Sequence, residues 1–302
     1  MLIFKTITYS QNAKPKQVFS NDSAKQEFLN LYDSTLNTWD FEYQSQYIET
    51  KHGKTHVISA GNDTMPVIVL LHGFSGTSLI WHKTINELHK KYKIYAVDIL
   101  GDANRSESAI PMKKSVEWSN WLKDVCDSLK ITNATFVGHS YGGFQSLLFT
   151  IDYPQMVNKC LLIAPYPGLF KPKLKLNLKF ISLMISPSRE KAIKFLQLCV
   201  AKDFIIEKYY SNIILLAFKN SIPIIPSDNY RISNKKLNSI NRPVLLVVGD
   251  QQDFYYTYEK ASKRANDNIP NCQTKLIENC GHSPVIEKPE FIIELIDKFI
   301  KE

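Results

Sequence analysis

The segment Gly138-His139-Ser140-Tyr141-Gly142 holds a hydroxyl between two glycines. This is the G-x-S-x-G spacing of a sharp strand-to-helix turn. The glycines are needed because such a turn presses strand and helix backbones together and leaves little room for a Cβ. The serine is left projecting outward at the carboxyl end of the strand, in a strained conformation. Gly143 adds further clearance. A serine displayed in this way can act as a nucleophile in acyl transfer, provided a base takes its proton and a third group orients that base.

In such a turn the partners follow in the order serine, acid, histidine. His282, in "NCGHSP" after the last strand-like run, is the expected base, and Gly281 before it lets the ring swing toward Ser140. The other histidines compete less well. His52 and His56 come early, His82 and His89 fall on a surface-type helix, and His139 is expected to be turned away from the serine it precedes. The acid is sought in "VVGDQQDFYY", where Asp250 and Asp253 both follow a strand-like run. Asp253 is preferred because it lies farther into the loop and can turn back. Asp250, directly after Gly249, can instead brace the turn, and both stay open. The oxyanion needs donors as well. "LLHGFSG" supplies them: Gly73 allows close approach, and the N–H of Phe74 can pair with that of Tyr141. His72 is read as holding that loop by hydrogen bonds.

These residues must be positioned by something, and the chain supplies a regular alternation. Apolar runs recur at "THVISAG", "MPVIVLLHG", "KIYAVDIL", "ATFVGHS", "KCLLIAP", "PVLLVVGD" and "QTKLIENC", with helical patterns between most of them. Runs such as "VIVLL" and "VLLVV" are apolar at every position, which suits strands covered on both faces of a parallel sheet. The helical patterns include "SVEWSNWLKDVCDSLK", "TYEKASKRAND" and "PEFIIELIDKFIKE", the last with Phe291, Leu295 and Phe299 in a four-residue repeat. Trp118 and Trp121 are read as core. Residues 1–40 are expected to form an N-terminal arm with one helix. Residues 41–165 and 241–302 form the α/β core, and 166–240 a helical cap inserted between strands. The cap aromatics, Phe195, Phe204, Tyr209, Tyr210 and Phe218, are expected mostly to pack its helices together.

Taken in order and spacing, "HGF" at 72–74, "VDILGDANRS" at 97–106, "GHSYGG" at 138–143, "GDQQD" at 249–253 and "GHSP" at 281–284 resemble the α/β-hydrolase superfamily. Within it the chain is similar to bacterial carboxylesterase-like serine hydrolases with a helical cap. The resemblance implies a mostly parallel central sheet flanked by helices. It also implies Ser140 as nucleophile, His282 as base, Phe74 and Tyr141 as oxyanion donors, and an acid after the seventh strand. Family members place that acid where this chain has Gln252, so Asp253 falls one residue late. Ala103 and Asn104 stand where the family's D-x-x-G-x-G-x-S pattern expects glycine. A serine at the elbow disfavours the haloalkane dehalogenase and epoxide hydrolase branches, which use aspartate there.

Composition sets the remaining bounds. At 302 residues and 44% hydrophobic, the chain can bury a large core. The net charge of +8 is spread along it. Its one dense cluster, "KPKLKLNLK", has no arginine and no aromatic for base stacking, so no nucleic-acid partner is expected. No signal peptide and no stable membrane insertion are expected, and five cysteines without metal-type spacing suit a reducing cytoplasm. No Walker or dinucleotide motif occurs, so no cofactor and no metal are expected. The expected partner is a small-molecule ester. The rival expectation is a small-molecule-binding protein that keeps this architecture with little turnover.

Overall fold

The computed structural model describes residues 18–170, 182–183, 185–221, 231–251 and 256–302. The lysine-rich stretch at 171–179 and the preferred acid at position 253 lie outside them.

The chain opens with helix α1 (Asp22–Leu36), capped by the Asn21 side chain, which accepts from the Ala24 N–H at 2.8 Å. Strands β1 (Gln44–Thr50) and β2 (Gly53–Ala60) follow as a hairpin, then β3 (Val67–Leu71), α2 (His82–Leu88), β4 (Lys93–Val97) and the short β5 (Glu107–Ser108). Next come α3 (Ser115–Ser128), β6 (Ala134–His139), α4 (Tyr141–Asp152) and β7 (Val157–Ile163). Helices α5 (Arg189–Gln197), α6 (Lys208–Asn220) and α7 (Asn234–Asn238) occupy the insert. The chain closes with β8 (Val244–Gly249), α8 (Tyr258–Asn268), β9 (Cys272–Ile277), α9 (Pro284–Glu287) and α10 (Pro289–Lys301).

Among the described residues the strands form one sheet in the order β1-β2-β4-β3-β6-β7-β8-β9, with β5 paired to β2. From β4 to β9 all neighbours are parallel, whereas β1, β2 and β5 pair antiparallel at one side. The uniformly apolar runs are β3 and β8, and β6 and β8 are buried at every position. Side chains alternate between faces, so Val69, Leu71 and Phe136 join α3, α4 and α8 on one side. Ile68, Leu70 and Val137 join α1, α2, α10 and the insert helices α5 and α6 on the other. Trp118 and Trp121 are core, edge to face at 5.8 Å, and the Trp121 indole donates to Thr55 Oγ1 at 2.7 Å.

The last helix departs from the expected stripe. Pro289, Ile292, Ile296 and Phe299 are its buried residues, while Phe291 and Leu295 sit half-buried on the flank. The apolar face is wider than one four-residue row, and its centre lies one position along.

The insert is tied to the rest of the molecule. Helix α1 packs on α6, Ser20 N–H donates to Asn220 O at 2.8 Å, and the Asn220 amide donates to Glu27 Oε2 at 3.1 Å. Of the cap aromatics, Phe195 and Phe218 meet edge to face at 5.9 Å, as do Tyr209 and Tyr210 at 5.3 Å. Both contacts fit packing within the insert. No helix among the described residues is long and apolar enough to cross a membrane.

Candidate active site

Because β3, β6, β8 and β9 run parallel, their carboxyl ends share one edge of the sheet, where ligands collect in open α/β folds. The loop after each carries one of the sequence-predicted groups.

Ser140 sits between β6 and α4 with φ 51°, a left-handed value that a non-glycine residue holds only under constraint. Its N–H donates to Ile163 O at 2.9 Å, and its own carbonyl accepts from Tyr166 and Phe144. Packing explains the flanking glycines. A Cβ on Gly142 would lie 2.2 Å from Leu71 O, and one on Gly138 would lie 2.3 Å from Gly142 O. Helix α4 therefore starts against the end of β3, and the serine is aimed outward by that contact.

His282 follows β9 through a turn in which Asn279 takes φ 51°. Its Nε2 lies 2.8 Å from Ser140 Oγ. Burial, and secondarily the neighbouring His139, hold the His282 imidazolium pKa well below its ordinary value, so the ring is neutral and able to accept a proton. A neutral ring accepting at Nε2 carries its hydrogen on Nδ1.

The loop after β8 is laced to the histidine loop. Asp250 N–H donates to Ile277 O at 2.9 Å, Gln251 N–H to Cys280 O at 2.9 Å, and Cys280 N–H to Asp250 Oδ1 at 3.1 Å. The exposed Asp250 thus braces this turn. Gln251 is thereby bonded to the residue two positions before His282.

The loop after β3 touches the elbow: a Cβ on Gly73 would stand 3.1 Å from His139 Nδ1 and 3.3 Å from Ser140 Cβ. Phe74 and Tyr141 are thereby brought together, their rings edge to face at 6.1 Å. His72 holds the loop as expected. It accepts the Ile99 N–H at Nε2 (2.9 Å), which leaves Nδ1 to donate to Gly73 O (2.8 Å). Burial lowers its pKa and keeps it neutral.

Three further groups that the sequence did not reveal support these loops. Asp102 accepts Ser75 N–H at 2.6 Å and Ala103 N–H at 2.8 Å, fixing the residue after Phe74 at φ 56°. Burial pushes the Asp102 carboxyl up to about 7, against the pull of those two bonds. Asp98 accepts Ser78 N–H at 2.7 Å and faces His56 Nδ1 at 2.9 Å, while His56 Nε2 meets Ser45 Oγ at 2.8 Å. Burial opposes the Asp98 charge, yet the His56 hydrogen bond and charge bring its pKa down to about 2. This Ser45–His56–Asp98 chain, buried at His56 and Asp98 and exposed at Ser45, joins β1, β2 and the loop after β4, and it braces the β3 loop through Ser78. The third group is His139, whose ring does turn from the serine but is not idle. Its Nε2 donates to His282 O at 2.9 Å, and burial lowers its pKa to about 4. No group of three His, Cys, Asp or Glu among the described residues is gathered as a metal site would require.

Comparison with known proteins agrees with this geometry. The family described as the alpha/beta hydrolase fold matches residues 66–189. The chain is 27% identical to Carboxylesterase YbfK of Bacillus subtilis (strain 168), over 90% of this chain and 93% of that relative. The crystal structure of carboxylesterase CesB (YbfK) from Bacillus subtilis aligns with a TM-score of 0.85 at 26% identity, covering 92% of this chain and 98% of that one. The structure of naproxen esterase (carboxylesterase NP) from Bacillus subtilis aligns with a TM-score of 0.86 at 26% identity, covering 93% and 99%. Similarity of that extent, on a sheet of this order with a serine elbow at the end of β6, gives the chain the α/β-hydrolase fold and makes it carboxylesterase-like in both sequence and structure.

Proposed function

We propose that the protein is a serine carboxylesterase that cleaves small or medium-sized hydrophobic esters through an acyl-enzyme at Ser140. The observation that carries this reading is the 2.8 Å separation of Ser140 Oγ and His282 Nε2 at a strained elbow. Ser140 Oγ attacks the ester carbonyl as His282 Nε2 takes its proton, and the oxygen of the tetrahedral adduct is received by the N–H groups of Phe74 and Tyr141. Collapse expels the alcohol, which leaves with the proton from His282. Water then attacks the acyl-enzyme, giving its proton to His282, and Ser140 regains a proton as the acid departs. Asp253 accepts the Nδ1–H of His282 and stabilises the imidazolium, while Asp250 braces the loop. Residues 166–240 act as a cap over the strand ends and supply the apolar surroundings of the acyl group. Removing one oxyanion donor of this kind costs about 3 kcal/mol, so the β3 loop matters as much as any side chain.

The deciding experiment combines turnover of p-nitrophenyl acetate and butyrate with labelling by a fluorophosphonate probe. Hydrolysis and labelling in the native protein, both abolished in Ser140→Ala, are the expected result. Tight binding of a hydrophobic ester unchanged in Ser140→Ala, with neither turnover nor labelling in the native protein, would establish the ligand-binding alternative instead.

A further inference from the structure

A buried carboxylate with no part in the reaction above lies directly beneath the histidine loop. Glu287 ends α9 and is only 9% exposed. Its Oε1 accepts the N–H groups of Gly281 and Ser283, both at 3.1 Å, so it holds the residues on either side of His282. Its Oε2 accepts Gly281 N–H at 2.9 Å and, from the insert, Ala201 N–H at 2.6 Å. The same stretch of the insert makes two more backbone bonds to the site loops. His282 N–H donates to Cys199 O at 2.9 Å, and Lys202 N–H donates to Gln251 Oε1 at 3.1 Å. There is no slack between the two: a Cβ on Gly281 would fall 2.6 Å from Val200 Cα.

We infer that Glu287 is a positioning residue, a buried clamp that locks the His282 loop to the Cys199–Lys202 turn of the insert and so sets the angle at which the imidazole meets Ser140. The inference rests on the reading of His282 as general base. A carboxylate is suited to this work because it offers acceptors on both oxygens, and N–H bonds to an ionised acceptor are stronger than bonds to a neutral one. An amide keeps one acceptor and turns a second N–H toward donors, so Glu287→Gln preserves shape and loses the clamp. Proton transfer through His282 is the step that then suffers. Its demand is greatest when the leaving alcohol needs a proton and least for p-nitrophenolate, which leaves as an anion.

The test measures kcat/KM for ethyl butyrate and p-nitrophenyl butyrate in the native protein, Glu287→Gln and Glu287→Asp, each assayed well below its own Tm. A base displaced by a fraction of an ångström is expected to lower kcat/KM about 10- to 100-fold on the ethyl ester. A clearly smaller loss is expected on the p-nitrophenyl ester, with Glu287→Asp recovering part of the difference. If Glu287→Gln does not fold, the same comparison is made on Glu287→Asp alone. Values within twofold of native on both esters would overturn the proposal, as would equal losses on the two esters. Failure of the underlying reading is separate, since there the native protein itself would not be labelled at Ser140 by fluorophosphonate.

Discussion

The ring of His139 stands 2.9 Å from the main-chain oxygen of His282, so the residue before Ser140 holds the backbone of His282. The same ring lies under Gly73, where an added Cβ would approach its Nδ1 to 3.1 Å. One buried imidazole therefore separates the β3 loop from the histidine loop and fixes their distance across Ser140. It stays neutral because burial lowers its pKa to about 4, which makes Nε2–H a constant donor over the working range. His139→Ala leaves a buried carbonyl without its donor, a loss of about 1–3 kcal/mol. The expected outcome is a kcat/KM for p-nitrophenyl butyrate lower by about tenfold or more, with fluorophosphonate labelling of Ser140 slowed in parallel. Native rates in that variant would show that the bond does not position the base.

The pH dependence follows from His282. The ring must be neutral to take the serine proton, so activity falls as pH drops through its pKa. Burial first, and the nearby His139 second, lower that pKa from the ordinary 6.5. The acid limb of kcat/KM is thus expected below pH 6.5, with full activity retained at mildly acidic pH. A limb centred clearly above 6.5, measured on a substrate whose chemistry limits the rate, would contradict this placement of the ring.

The two candidate acids separate by substitution. Asp250 is exposed and already bonded to the Cys280 N–H, a bracing role that Asn can fill through its amide oxygen. Asp250→Asn is therefore expected to cost only a few-fold in kcat. On the proposed assignment Asp253→Asn removes the carboxylate that fixes the tautomer of the base, and its expected loss is about 10⁴-fold. Steady-state kinetics on the two variants, with native-like Tm in both, settles the assignment. The reverse ranking would move the acid to position 250.

How far the sequence reached depended on how local each signal was. The buried strands β3 and β8 were legible because both faces are covered and no polar residue interrupts them, and β6 because its run leads straight into the glycine-flanked serine. Strand β1 was not legible, because only Ile48 of its seven residues is buried and the rest read as a polar loop. Ser140 and His282 could be paired in advance because an elbow glycine pattern and the order of chain elements are sequence properties. The supports could not. Glu287, Asp102 and the Ser45–His56–Asp98 chain act on backbone N–H groups and rings that meet only after the strands assemble, and a carboxylate carries no sign of which amide it will accept. The part played by His139 is hidden in the sequence for the same reason: its neighbour in the chain is visible there, whereas its partner, His282 O, comes from a different strand's loop.

The N-terminal helix and the insert form one packed unit, and that has a measurable consequence. Phe28 on α1 is fully buried, meets Phe19 at 5.4 Å between ring centres, and belongs to the same apolar cluster as Ile213, Ala217 and Phe218 of α6. Phe19 in turn bridges to Ser221 at the end of α6. Removing the ring leaves a cavity between α1 and α6, so Phe28→Ala is expected to destabilise the fold by about 3–5 kcal/mol in urea unfolding. Because α6 leans on α1 while the α/β core keeps its own sheet contacts, limited proteolysis of the variant should cut within the insert before it cuts the core strands. Cleavage that begins in the core, with the insert intact, would show that α1 stabilises the sheet rather than the insert.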